Sequence, residues 1–204
     1  MAELRGLLID WGGVLTTDVF ASFAAFCRAE GLEPDTVREL FRTDERARGA
    51  LAGLETGELG PAEFEPRFAA LLGVSPDGLI ARLFGAMGPD EAMIGAVRAA
   101  RAGGLRTALL SNSWSVDDYD RDVLGELFDV WVISGEVGLR KPDPAIYVLA
   151  SERMELPPEA IAFVDDLPGN LKPARALGMT TIAHRGDAHA TLAELEAALG
   201  LSLR

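Results

Sequence analysis

Leu7-Leu8-Ile9-Asp10-Trp11-Gly12-Gly13 sets a short apolar run directly against a carboxylate and two glycines. A continuous apolar run of this length suits a strand buried on both faces. Thr107–Leu110, Val130–Ile133 and Ile161–Val164 have the same character, and a weaker run lies near Met179–Ile182. Between them apolar residues recur at helical spacing, as in Met93, Ile94 and Val97 or Ile146, Tyr147 and Leu149. Strands alternating with helices predict βαβ units and a parallel sheet. The expected fold class is α/β, a Rossmann-like parallel sheet flanked by helices.

Residues 17–87 break this rhythm. Val19, Phe23, Phe26 and Cys27 follow helical spacing, as do Val37, Leu40 and Phe41. Phe64, Phe68, Leu71 and Leu72 form another stripe, followed by Ile80, Leu83 and Phe84. No strand pattern interrupts them. The reading is a core of residues 1–16 and 88–204, with an α-helical cap of residues 17–87 inserted after the first strand. Gly88-Pro89 marks the return to the core. Gly60-Pro61, Ser75-Pro76 and Asp143-Pro144 read as helix starts with proline at the first helical position. Thr191-Leu192-Ala193-Glu194 reads as a capping box and Gly200 as a helix stop.

The formal net charge of −13 argues against a nucleic-acid partner, which would require clustered Lys and Arg. An acidic chain that binds a phosphate ester must supply positive charge locally, through a metal, a lysine or backbone N–H groups. Only two of the 19 basic residues are lysines, Lys141 and Lys172. Lysine brings a compact charge that arginine does not. The single cysteine, Cys27, has no partner for an internal disulfide, which fits a reducing compartment. The run Leu7–Ile9 is too short for a signal-peptide core or a membrane span. These features predict a cytoplasmic protein with no membrane partner.

In an open parallel sheet, ligands gather at the carboxyl ends of the strands. Asp10 closes the first strand, Ser111 and Asn112 close the second, Lys141 lies in the loop after the third, and Asp165 and Asp166 close the fourth. Each residue alone has a structural explanation: a carboxylate caps a helix, a serine–asparagine pair makes a turn, a lysine is solvated. Their coincidence on one rim carries the functional reading. Carboxylates from two strand ends suit Mg²⁺, which screens a carboxylate nucleophile from an incoming phosphate. A hydroxyl, an amide and an ammonium suit phosphoryl oxygens, and an aspartate attacking phosphorus forms an aspartyl-phosphate. Trp11 and Trp114 beside these motifs read as packing first. Lys172 reads as helix surface, and His184 and His189 have no metal-ligand spacing.

Asp10-Trp11-Gly12-Gly13-Val14-Leu15, Leu110-Ser111-Asn112, Lys141-Pro142 and Val164-Asp165-Asp166 follow the order of four motifs in the haloacid dehalogenase-like superfamily, which this chain resembles. The stretches around Ser111–Trp114, Gly135–Pro142 and Asn170–Gly178 are similar to the N-terminal phosphatase domain of soluble epoxide hydrolase and to bacterial glucose-1-phosphatases. The resemblance implies a Mg²⁺-dependent phosphohydrolase acting on a small phosphorylated metabolite, and it is compatible with a homodimer. It implies Asp10 as nucleophile and metal ligand, with the Gly12 carbonyl completing the metal site. Asp166 is implied as a direct ligand, and Asp165 as a ligand or the partner behind it. Ser111 and Asn112 match the phosphate-binding pair, and Lys141 the lysine that neutralises charge.

The chain departs from the family's phosphatases at Gly12, where an aspartate usually protonates the leaving group. Such general acid help is worth about 10²–10⁴-fold. Its loss predicts a preference for esters whose leaving oxygen departs easily, and Asp117 and Asp118 are the first candidates to replace it. Gly12 is also expected to permit a tight loop. Two other readings use the same residues. One is a catalytically weak or inactive phosphate-binding scaffold. The other is a haloacid dehalogenase, in which the adjacent carboxylates Asp165 and Asp166 would repel each other without a cation.

Overall fold

The structure, a computed structural model, describes residues 3–203. Strands β1 (Gly6–Ile9), β2 (Arg106–Ser111), β3 (Val130–Ile133), β4 (Ile161–Asp165) and β5 (Thr180–Ala183) form one sheet in the order β3-β2-β1-β4-β5. Every pairing is parallel. Helices α1 (Val19–Ala29), α2 (Thr36–Thr43), α3 (Glu45–Thr56), α4 (Pro61–Leu72) and α5 (Leu79–Leu83) follow β1. Then α6 (Glu91–Ala102) leads to β2, α7 (Arg121–Leu127) to β3, and α8 (Ser134–Val137) with α9 (Pro144–Met154) to β4. Helix α10 (Pro168–Ala176) precedes β5, and α11 (Ala188–Leu199) follows it.

The unbroken apolar strands have a direct cause in this arrangement. Leu7, Ile9, Leu109 and Val164 pack on one side of the sheet with Met93, Val97, Leu124 and Leu195 from α6, α7 and α11. Leu8, Leu110, Val132 and Phe163 pack on the other with Ile146, Tyr147 and Leu171 from α9 and α10. Alternate side chains point to opposite faces, so a strand covered on both sides must be apolar at every position.

Helices α1–α5 bury Phe23, Phe26, Phe64, Phe68 and Leu79 in a cluster of their own. The Asp18 carboxylate starts α1 by accepting the N–H groups of Phe20 and Ala21, and Asp44 does the same for α3. The ends of the insertion lie side by side, with Thr16 bridged to Pro89 and the Thr17 N–H donating to the Gly88 carbonyl. Gly57 ends α3 at φ 76°, where a Cβ would stand 2.7 Å from the Gly135 carbonyl oxygen, so glycine lets α3 rest on α8.

Gly60-Pro61 and Asp143-Pro144 start helices, and Gly200 stops α11 in the left-handed conformation. Two local expectations fail. Ser75-Pro76 starts no helix, because Gly78 at φ 58° separates it from α5 and the Ser75 hydroxyl caps a turn at Asp77. Thr191 is not a capping residue. Asp187 caps α11 one turn earlier, and the Thr191 hydroxyl donates back to the Asp187 carbonyl.

Candidate active site

The strand order places β1 between β2 and β4, so the chain reverses its direction across the sheet beside β1. A crevice opens at the carboxyl ends of strands at such a point. Register then fixes who meets whom. Ile9 pairs with Leu109 and Val164, and the Asp10 N–H donates to the Val164 carbonyl at 3.0 Å. Asp10 is therefore level with Asp165, and Ser111 extends one residue past Leu110.

Lys141 arrives from the loop between α8 and α9. The Asn112 side chain pins that loop, accepting the Lys141 N–H at 2.8 Å and donating to the Lys141 carbonyl at 3.0 Å. Lys141 is 1% exposed, and its Nζ lies 2.7 Å from both Asp10 Oδ1 and Asp165 Oδ2. Burial alone would lower its pKa, but the two carboxylates outweigh this and raise it. The ammonium is thus a fixed positive charge on the cavity floor.

The two adjacent aspartates differ in what is left free. Asp165 accepts from Lys141, from the Leu167 N–H and from the Asn170 amide through both of its oxygens. Among the described residues, Asp166 meets no donor but its own backbone N–H. Asp10 Oδ1 accepts from Lys141 and the Trp11 N–H, while Oδ2 has no hydrogen-bond donor among the described residues.

This set fits a divalent cation. Asp10, Asp165 and Asp166 each bring one oxygen within 4.8 Å of the others. Three carboxylates against one lysine leave unbalanced negative charge in a desolvated place. Burial pushes Asp166 up to about 6, helped by the neighbouring Asp165 charge and opposed by Lys141. Burial likewise raises Asp10 well above the usual carboxylate range, despite Lys141. A cation would supply the counter-charge, and the oxygens of Asp10 and Asp166 that meet no side-chain donor could hold it.

Gly12 lines the same cavity, but its expected conformational role belongs to its neighbour. Gly13 adopts φ 72°, and a Cβ there would stand 2.7 Å from Asp166 Oδ2. A Cβ on Gly12 would meet only Val19 Cγ2, at 3.3 Å. Asn112 faces the cavity, yet its two amide N–H groups are already given to the Lys141 carbonyl and to Glu55 Oε2. Asp118 lies exposed at the cavity lip, while Asp117 does not line it. His184 is buried against the Thr191 hydroxyl, and His189 and Lys172 are exposed away from the cavity.

Three polar residues of the site escape the sequence reading. Asn170 orients Asp165 from α10. Tyr119 sets its hydroxyl 2.8 Å from Ser111 Oγ. Glu55 reaches in from α3 to Asn112 and to Arg140 Nε, the latter at 2.5 Å. Burial raises the Glu55 pKa, and Arg140 offsets this. Only the Glu55 position carried a signal: a carboxylate next to Leu54 on the buried side of an amphipathic helix.

The cavity holds about 510 Å³. Its floor carries Asp10, Ser111, Lys141 and Asp166, and its walls are largely aromatic, with Phe20, Phe23, Phe41, Phe84 and Trp114. Trp114 belongs to the loop after β2 but stands edge-on to Phe41, Phe64 and Phe84 of the helical insertion, at centroid distances of 5.8, 5.4 and 4.8 Å. It packs and lines the cavity at once.

The chain is similar to known proteins in sequence and in structure. Rat bifunctional epoxide hydrolase 2 is 36% identical over 118 residues, which cover 54% of this chain and 21% of the rat protein. The sesquiterpene phosphatase astK of Aspergillus oryzae is 29% identical over 153 residues, covering 72% of this chain and 77% of astK. A crystal structure of the HAD family enzyme bt-2542 from Bacteroides thetaiotaomicron superposes with a TM-score of 0.71 at 25% identity, over 91% of this chain and 95% of that one. The same enzyme in complex with magnesium and inorganic phosphate gives a TM-score of 0.67 at 24% identity, over 90% and 95%. The model of the haloacid dehalogenase-like hydrolases matches residues 4–178, and the chain belongs to that family.

Proposed function

We propose that this chain is a Mg²⁺-dependent phosphohydrolase that cleaves a small, apolar phosphate ester through an aspartyl-phosphate on Asp10. The observation that carries the reading is the Lys141 ammonium, 2.7 Å from both Asp10 and Asp165 on the floor of an aromatic cavity. Among relatives, the name sesquiterpene phosphatase joins an apolar group to a phosphate, and bt-2542 has been captured with magnesium and inorganic phosphate.

Magnesium would be held by Asp10, Asp166 and the Gly12 carbonyl, with Asp165 behind them, and would lower the negative charge facing the phosphate. Ser111 and Lys141 would hold phosphoryl oxygens where charge builds up in the transition state. Asp10 attacks phosphorus, a carboxylate O–P bond forms, and the ester P–O bond breaks with its electron pair leaving on the ester oxygen. Water then attacks phosphorus, a new O–P bond forms, the Asp10 O–P bond breaks to return the carboxylate, and the water's proton passes to the released phosphate or to solvent. With glycine at position 12, the ester oxygen receives no proton from that place and must depart as an anion or draw a proton from water. Residues 17–87 act as the cap whose aromatic side chains seat the leaving group.

The two demands together select apolar esters with stabilised leaving groups, of which aryl phosphates are the simplest. An aromatic wall also gives few partners to the hydroxyls of a sugar phosphate. The test is phosphate release across aryl, long-chain alkyl and sugar 1-phosphates, with Mg²⁺ and with chelator. Mg²⁺-dependent release, fastest for apolar aryl esters, is expected. Release that ignores the metal, or phosphate binding without release from any ester, would overturn the proposal.

A further inference from the structure

Ser111 and Tyr119 form an isolated pair of hydroxyls at the cavity floor. Their oxygens are 2.8 Å apart, both residues are buried, and both line the cavity beside Asp10. Among the described residues neither side chain makes another hydrogen bond. Two hydroxyls carry two protons, and one is used between them. One proton is therefore always left over, and the cavity is where an acceptor would arrive. Which oxygen keeps it depends on which hydroxyl donates, and a phenol is the stronger donor. Burial raises the Tyr119 pKa, so the phenol stays protonated and able to donate. The Tyr119 ring is itself fixed edge-on to Trp11 at 5.7 Å, the residue that follows Asp10.

We infer that Tyr119 is a positioning residue: it donates to Ser111 Oγ and thereby turns the serine proton toward the phosphoryl group. This deepens the proposed phosphatase reading and rests on it. Without the phenol, Ser111 spends its proton on any nearby acceptor and meets the phosphate in several rotamers. With the phenol, its lone pair is occupied and its donor direction is set before substrate arrives.

A double-mutant cycle reads this directly, with inorganic phosphate in the presence of Mg²⁺ as the probe, titrated calorimetrically. Ser111→Ala should weaken phosphate binding by about ten- to a hundredfold, the scale of one hydrogen bond to a charged group. Tyr119→Phe should weaken it by about three- to tenfold while keeping the ring and its contact with Trp11. In the Ser111→Ala background, Tyr119→Phe should change the affinity by less than about twofold, because nothing is left for it to orient. Aryl ester turnover should follow the same pattern. If Tyr119→Phe costs as much in the Ser111→Ala background as alone, the tyrosine contacts the phosphate itself and the inference is wrong. If Tyr119→Phe lowers only the melting temperature, the pair is structural and the inference is wrong. Failure of the unmodified chain to bind phosphate would instead bring down the phosphatase reading.

Discussion

The floor of the cavity and its wall pack against each other, yet they are held together by different forces. On the floor, Lys141 stands between Asp10 and Asp165, and every contact depends on charge and direction. On the wall, Phe20, Phe23, Phe41 and Phe84 depend mainly on the removal of apolar surface from water, which has no direction. Each region lends the other one residue. Trp114 leaves the β2 strand end to pack among the insertion's phenylalanines, and Glu55 leaves α3 to hold Asn112 and Arg140. Under the proposed function, a change in the wall should alter what is seated without disturbing the floor, provided these two crossings survive.

The largest expected effect strikes the floor. Lys141→Ala leaves Asp10 and Asp165 facing each other without their shared cation. Turnover should fall by at least about 10³-fold. Stability should drop by about 3–5 kcal/mol, since one partner of a buried ion pair has gone. Denaturant titration with and without Mg²⁺ checks this, and added Mg²⁺ should restore part of the loss. A variant of unchanged stability would mean that the floor is less desolvated than its burial implies.

Gly12→Asp adds the missing carboxyl where floor and wall join. A Cβ at position 12 requires only a small shift of Val19, and the left-handed backbone that would strain a side chain is at Gly13. The variant should gain up to about 10²-fold on simple alkyl esters and little on aryl esters, flattening the dependence of rate on leaving-group pKa. A shallow dependence in the unmodified chain would point to a surrogate acid, with Asp118 at the cavity lip first in line.

Phe20→Ala should test the wall alone. The Michaelis constant for an apolar aryl ester should rise about tenfold, on the scale of part of one buried aromatic side chain. Inhibition by inorganic phosphate should not change. Equal losses in both would break the separation between wall and floor.

The smallest effect is a pH dependence. A carboxyl raised in the folded state stabilises the fold below its unfolded pKa of about 4, and that contribution is lost as pH rises through its folded value. For Asp166 that window runs from about 4 up to about 6, with Asp10 acting in the same direction. Metal-free protein should lose on the order of 1–2 kcal/mol across it relative to Asp166→Asn. Mg²⁺ should bind more tightly over the same interval and cancel the loss. Melting curves from pH 4 to 8 with and without Mg²⁺ would show it.

Much of this was legible in the residues. Unbroken apolar runs gave the strands, because a doubly covered sheet leaves no polar position, and the polar residue ending each run marked the rim. The strand order was not readable, since periodicity says nothing about neighbours, and it is the order that brings Asp10 level with Asp165. Ser75-Pro76 and Thr191–Glu194 misled because a cap motif fits several starting points, and a left-handed Gly78 or an earlier Asp187 decides between them. Tyr119 stayed hidden, and the burial signal at Glu55 did not reveal its role, because these roles depend on contacts across 8 and 57 residues of chain. The apolar stripe of α1 gave no hint that Phe23 both packs the insertion and lines the cavity.

The central claim is that Asp10 takes the phosphoryl group. It is tested most directly by rapid acid quench during turnover of an aryl phosphate with Mg²⁺, followed by mass analysis of the chain. The unmodified protein should carry one phosphoryl group on the peptide containing Asp10, and Asp10→Asn should carry none and release no phosphate. Label on any other residue, or turnover retained in Asp10→Asn, would contradict the account.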